Sequence, residues 1–263
     1  MLSTIPDAIQ VIEQFEQRNG TSPWKLTRGE VASGLKELVQ NPTLVNQGNL
    51  NLCGPAATFV LWSRRDPLAF AQYGIELFEQ GESRIGNISV KPGSDLLNQD
   101  YSAVRSRMKP VCPQAEWMMM SALRDSENTA LDFEGTPEED AEGITTPGEI
   151  AKWLIATGCY SSVVDEGNFV ANAGLNHAAK LQLSDQQDVV MLINANILPR
   201  AQRTPFDLIA QFFPNHYIVL NSAIKFPDSK VVLDHWTWGG VELEEVDKAN
   251  FDDNYYGAII ASL

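Results

Sequence analysis

Apolar positions recur at helical spacing over residues 5–17, where Ile9, Ile12 and Phe15 mark one side of a predicted helix. Thr27 and Glu30 have capping-box spacing and predict the start of a second helix, Val31 to Gln40, which Asn41-Pro42 stops. A loop through Gly48 leads to an apolar stretch, Ala56 to Trp62, read as a helix that opens at Cys53. Residues 66–80 predict a further helix ending near Gly81, and 94–108 and 115–124 predict two more. The Met118-Met119-Met120 run in the last of these reads as core filling. Thr146-Pro147-Gly148-Glu149 opens one more helix, with proline at its first position and Gly158 at its end.

Beyond that point the pattern shortens to strand-like runs. Val189 to Ala195, His216 to Asn221, Val231 to Trp238 and Tyr255 to Ser262 each read as a strand, and Pro227-Asp228-Ser229 turns between the second and third as a hairpin would. Helices first and an antiparallel sheet second is an α+β order. The expected organisation is one domain in two lobes: an N-terminal helical extension over 1–45, a helical lobe over 46–160 and a sheet lobe over 161–263. Residues 125–142 carry eight acidic side chains and no Lys or Arg around Gly135 and Pro137, which predicts a mobile loop.

Composition narrows the class. A chain of 263 residues, 44% hydrophobic and 20% charged, can bury a substantial core. No apolar run approaches the roughly 18 residues needed to span a bilayer, and the first residues lack the basic-then-apolar order of a secretory signal. The three cysteines, Cys53, Cys112 and Cys159, are too few for a disulfide framework and lack metal-ligand spacing, so neither metal nor cofactor is expected. The expected location is a reducing cytosol, or the exterior by a route needing no N-terminal signal. A net charge of −15 argues against nucleic acid or an anionic membrane as partner and leaves a basic substrate segment or partner as the sharper alternative to plain solubility.

The chemistry concentrates in Asn46-Gln47-Gly48-Asn49-Leu50-Asn51-Leu52-Cys53-Gly54-Pro55. A thiol at a helix N-terminus meets the positive end of the helix dipole and unpaired N–H groups, which favour the nucleophilic thiolate. Gln47, six residues upstream, can donate a side-chain N–H to the oxyanion formed when a thiolate attacks a carbonyl. Of the three histidines, His177 lies in a polar stretch and reads as a surface residue, whereas His216 opens an apolar strand. In the next strand Val232, Asp234 and Trp236 alternate with Leu233, His235 and Thr237, so Asp234 and His235 face opposite ways. If the hairpin pairs normally, Asp234 accepts a hydrogen bond from His216 and fixes its tautomer. Asn215, Asn221 and His235 are the other candidates for that third place. Cys112 and Cys159 read as structural.

These segments resemble the papain-like cysteine peptidases. The match lies in Asn46-Gln47-Gly48 with Cys53 at the stated spacing, in His216 ahead of Ile218 and Val219, and in Asp234 before Trp236-Thr237-Trp238-Gly239-Gly240. The Asp, and Cys53-Gly54-Pro55 in place of the family's Cys-Gly-Ser-Cys-Trp, look closer to bacterial members such as bacteriocin-processing peptidases, and a toxin or effector role follows by analogy. The resemblance does not extend to the first 40 residues or to 80–145. It implies a two-lobe fold with the cysteine helix on an antiparallel sheet, and a Cys53-His216-Asp234 triad with Gln47 in the oxyanion hole. Trp236 and Trp238 would shield the His–Asp pair. The implied partner is a protein or peptide substrate, with an inhibitor or immunity protein as a further candidate. An amidase on peptidoglycan or small amides (with His235 in place of Asp234), a transglutaminase-like acyltransferase and a non-enzymatic binding module are the alternatives. The first 40 residues are expected to pack as an integral part of the fold.

Overall fold

The computed structural model describes residues 3–128, 133–139, 144–198 and 213–263, and divides into two units. The first comprises the chain up to Thr145 together with Ala156–Cys159; the second comprises Thr146–Ile155 and Tyr160–Leu263.

Helices make up most of the first unit: α1 (Ile5–Gln17), α2 (Arg28–Gln40), α3 (Cys53–Arg65), α4 (Pro67–Gln80), α5 (Ser94–Leu97), α6 (Tyr101–Arg107) and α7 (Gln114–Glu127). A small hairpin, β1 (Ser83–Ile85) with β2 (Ile88–Val90), interrupts them and was not legible in the sequence. α1 packs on α2 and α4, with Ala8, Ile12 and Phe15 buried, so the first 40 residues are integral to this unit. Phe15 meets Phe78 of α4 edge-on at 5.4 Å, and Phe59, Trp62, Phe70 and Tyr73 form a linked aromatic cluster between α3 and α4.

Helix ends follow the sequence with three departures. The single helix expected over 94–108 is broken after Leu97 and restarts at Tyr101 with Asp100 as its cap. Thr27 precedes α2, but its side chain makes no capping bond; instead its backbone N–H donates to Gln114 Oε1 at 3.3 Å, a partner from α7 that no local pattern announces. Asp125 to Glu127, expected within the acidic loop, complete α7, and the Asp125 carboxylate accepts from the backbone N–H groups of Gly93 and Phe133. Residues 129–132 and 140–142 of that expected loop lie outside the described residues. No helix among the described residues is long and apolar enough to cross a membrane.

The second unit opens with α8 (Pro147–Ala156), whose residues to Ile155 belong to it. Here the capping box forms: Thr146 N–H donates to Glu149 Oε2 at 2.6 Å, and Glu149 N–H returns a bond to Thr146 Oγ1 at 3.3 Å. Then follow β3 (Ser162–Asp165), α9 (Leu175–Ala178), β4 (Gln187–Ile193), β5 (His216–Leu220), β6 (Lys230–Thr237), β7 (Gly240–Asp247), α10 (Lys248–Asn254) and β8 (Tyr255–Ser262). The strands form one antiparallel sheet in the order β3-β8-β4-β5-β6-β7. The four strands read from sequence are the interior ones, which are rich in apolar residues. β3 and β7 stand at the two ends, and Glu242, Glu244 and Glu245 give β7 the look of a loop.

One face of this sheet carries Val189, Met191 and Ile193 of β4, Ile218 and Leu220 of β5, and Val231 and Leu233 of β6, joined by Phe251 of α10. His216 shares that face, because alternate residues of β5 point the same way. The α+β architecture is therefore present, and the residues of chemical interest fall on two elements, α3 of the first unit and the β5–β6 pair of the second.

Candidate active site

In the first unit Cys53 is the first residue of α3 and is 6% exposed. Leu52 at the helix cap offers no side-chain acceptor, and Pro55 has no N–H to satisfy. Arg64 and Arg65 occupy the last turn of α3, where cations suit the negative end of the helix dipole.

Gln47 is 5% exposed, and its Nε2 donates to the Leu50 carbonyl at 2.7 Å. That bond uses one of the two amide hydrogens and leaves the second for another acceptor. Its Oε1 is buried with no hydrogen-bond partner among the described residues.

The loop that holds Gln47 lies tightly against residues 110–112. Gly48 adopts a positive φ of 62°, its N–H donates to Asn46 Oδ1 at 2.8 Å, and Asn49 N–H donates to the Pro110 carbonyl at 3.1 Å. A Cβ at residue 48 would stand 2.5 Å from the Cys112 backbone nitrogen and 2.8 Å from the Pro110 oxygen. Cys112 belongs to this wall. Its carbonyl accepts from the Tyr101 hydroxyl at 2.7 Å, and full burial pushes its thiol well above the usual range. Gly48→Ala is therefore expected to destabilise the helical unit by roughly 2–3 kcal/mol, combining backbone strain with a backbone clash. Urea unfolding followed by the helical circular-dichroism signal measures it; an unchanged midpoint would contradict the close packing.

In the second unit His216 opens β5, is 4% exposed, and has two ring contacts. Its Nε2 lies 2.7 Å from Thr237 Oγ1, and its ring stacks on Trp238 with centroids 4.3 Å apart and planes 18° from parallel. Burial, then the nearby His235, lowers the His216 pKa to about 3, so the imidazole is neutral at pH 7. Both Trp238, at φ 42°, and Gly239, at φ 84°, hold positive φ in the two-residue link between Thr237 and Gly240. This is the signature of a type I′ hairpin turn, in which tryptophan is a costly choice. The strained residue is the one that covers His216.

Asp234 is elsewhere. Val219 pairs with Trp236 and Leu220 with His235, so continuing the register sets Asp234 opposite Asn221. That is five residues along from His216, roughly 16 Å at strand spacing, and on the opposite face of the sheet. Asp234 Oδ1 accepts from Asn221 Nδ2 at 3.0 Å, and the Asp234 carbonyl accepts from Asn221 N–H at 2.8 Å. The expected His216–Asp234 hydrogen bond is not formed; Thr237 occupies the place beside Nε2.

The cause is the hairpin. Its turn at Pro227-Asp228-Ser229 lies only six residues before Asp234 but twelve after His216, and antiparallel arms match residues at similar distances from the turn. Two extra residues between Leu220 and Lys225 move the register two places back towards Asp234, too few to reach it, because Lys225 pairs with Val232 while Leu220 pairs with His235. Counting from the turn alone leads to the level of Gly240-Val241, and the two extra residues bring it back to Gly239, beside Trp238 and diagonal to Thr237. Trp236, expected to shield the site, is buried on Asp234's face of the sheet, so only Trp238 covers His216.

No family model matches the chain, and neither a curated protein nor a solved structure matches it. The resemblance to papain-like peptidases accordingly stands on the residues alone.

The remaining candidates lie in structural settings. Asn215 Oδ1 accepts from Ala195 N–H at 2.8 Å. His235 is fully buried on the core face, with neither ring nitrogen hydrogen-bonded among the described residues, and burial lowers its pKa. His177 bridges Tyr255 OH at 2.7 Å and Glu166 Oε2 at 2.9 Å, a tie between α9, the end of β3 and β8 rather than an isolated surface ring.

Proposed function

We propose that this chain is a cysteine peptidase that cleaves a peptide bond through a thioester acyl-enzyme. His216 accepts the Cys53 thiol proton, and the thiolate sulfur attacks the carbonyl carbon. The second amide hydrogen of Gln47 and the Cys53 backbone N–H stabilise the oxyanion. Collapse breaks the C–N bond, and His216 returns the proton to the departing amine. Water then attacks the thioester, giving one proton to His216, and the sulfur leaves and regains it as the thiol. All atoms are accounted for without a cofactor.

The observation that carries this reading is the setting of His216. The ring is held at Nε2 by a hydroxyl and clamped flat by an indole, which leaves Nδ1 to take the thiol proton. Cys53 as the first residue of α3, and Gln47 with its second amide hydrogen, are the groups proposed as nucleophile and oxyanion donor. The net charge of −15 favours basic substrates or partners.

Incubating a cell lysate with the wild-type protein or with Cys53→Ala, then identifying new N-termini by mass spectrometry, tests the proposal. Cleavages are expected that depend on Cys53 and cluster near Lys or Arg. New isopeptide masses in place of new N-termini would replace the peptidase by a transglutaminase-like enzyme. No Cys53-dependent change would leave the binding-module alternative.

A further inference from the structure

We infer that Thr237, not an Asp or Asn side chain, is the positioning residue for His216, with its hydroxyl accepting the Nε2 proton and Trp238 fixing the plane of the ring. The inference rests on the peptidase reading for its kinetic consequences, but its structural content concerns the β5–β6 pair alone.

Three observations carry it. The Oγ1–Nε2 distance of 2.7 Å joins two buried groups, Thr237 at 1% and His216 at 4% exposure, so water does not compete for the bond. The strand register makes Thr237 a diagonal neighbour of His216 on one face of the sheet and places Asp234 on the other. Trp238 follows directly in a left-handed conformation that few residues with a side chain adopt, and its indole stacks on the ring that Thr237 holds. A hydroxyl and an indole from consecutive residues thus fix the imidazole both within its plane and perpendicular to it.

The chemistry differs from that of a carboxylate partner. A threonine hydroxyl adds no negative charge beside the ring, so it orients the base without stabilising the imidazolium. A hydroxyl can serve either tautomer; the one inferred, with hydrogen on Nε2 and the lone pair on Nδ1, makes Nδ1 the proton acceptor in catalysis. His216 then acts as a neutral base that takes the thiol proton as the sulfur attacks, instead of resting as half of a charged pair.

The test has two arms. In the first, nitrogen-15 NMR of the three histidines, with His216 assigned from His216→Asn, is recorded on the wild type, Thr237→Ser, Thr237→Val and Asp234→Asn. The wild type, Thr237→Ser and Asp234→Asn are expected to show a protonated Nε2 with a slowly exchanging hydrogen-bonded proton, which Thr237→Val loses. A tautomer signal unchanged in Thr237→Val, or altered by Asp234→Asn, overturns the inference. In the second arm, hydrolysis of a panel of peptidyl-aminocoumarin substrates is compared across the same variants. Thr237→Val is expected to lower kcat by about tenfold with KM nearly unchanged, the kinetic equivalent of one neutral hydrogen bond, and Thr237→Ser to restore most of it. A full loss in Asp234→Asn with none in Thr237→Val returns the third place to Asp234. If Thr237→Val does not fold, as judged by circular dichroism, Thr237→Ala takes its place in both arms. Absence of Cys53-dependent hydrolysis in the wild type sinks the peptidase reading, and the NMR arm then decides the role of Thr237 by itself.

Discussion

Acidification from pH 6.5 to pH 4 is expected to cost the sheet unit on the order of 3 kcal/mol through His216 alone. The folded-state pKa of His216 is lowered to about 3, by burial first and by His235 second, against an ordinary value of 6.5. The neutral ring is therefore the form that folding favours. Its contribution is fully present above pH 6.5 and is lost as the pH falls towards 3, because the unfolded chain binds a proton that the folded one refuses. The slope is about 1.4 kcal/mol per pH unit for each such histidine. His235, also buried and also shifted down, adds to the slope with the same sign.

His216→Gln separates this effect from the titration of surface carboxylates. The variant is less stable at neutral pH, since it disturbs the Thr237 and Trp238 contacts, but its stability falls less steeply below pH 6.5. Urea midpoints read by tryptophan fluorescence at half-unit pH steps measure the difference. Parallel profiles for wild type and variant would show that His216 is not held neutral by burial. The same substitution removes the proposed base, so Cys53-dependent hydrolysis should fall on the order of 1,000-fold.

The helical unit is expected to respond in the opposite direction. Glu116 in α7 is buried under α2, beside the close approach of Gly34 to Ala115, and its Oε2 has no hydrogen-bond partner among the described residues. Burial, with Glu37 adding like charge, raises its pKa to about 8 from an ordinary 4.5. The protonated form suits the fold, so its stabilising contribution is complete below pH 4.5 and is lost as the pH rises towards 8. Across pH 5 to 8 this amounts to a decline on the order of 4 kcal/mol. Glu116→Gln, neutral at every pH and nearly the same shape, should flatten that decline. It should therefore be more stable than the wild type by a few kcal/mol at pH 8, with little difference at pH 5. Equal stability of the two proteins at pH 8 would mean that the carboxylate finds a compensating partner. The two slopes together place the greatest stability of the chain in mildly acidic conditions, bounded by the histidines on one side and the carboxyl on the other.

Much of the architecture was legible because it is written in short-range pattern. α1, α3, α4, α7 and α8 carry apolar stripes and recognisable boundaries, and β4, β5, β6 and β8 are strand-length runs rich in apolar residues, β6 interrupted by Asp234 and His235. The strands at the ends of the sheet order were missed for the same reason: β7 interleaves glutamates with Val241 and Leu243, so no apolar run marks it. The Thr27–Glu30 box has the correct spacing, yet its cap is not made, because Gln114 from a distant part of the chain reaches Thr27 instead.

The same division runs through the candidate site. The sequence by itself determined that Cys53 starts a helix, that Gln47 lies six residues before it in a glycine-pinned loop, and that His216 opens a buried strand. Each of these depends on neighbours within a few positions, where helix caps, positive-φ turns and strand alternation operate. Only the tertiary structure decided which side chain meets His216. Alternation says which residues of β6 share a face, but the level at which they pass β5 is set by the hairpin turn and by two inserted residues. A shift of a few residues replaces a carboxylate by a hydroxyl, because register is a pairing between distant segments and short-range preference does not encode it. The neutral states of His216 and Glu116 belong to the tertiary structure too, since exclusion from water is what folding adds to an ionisable side chain.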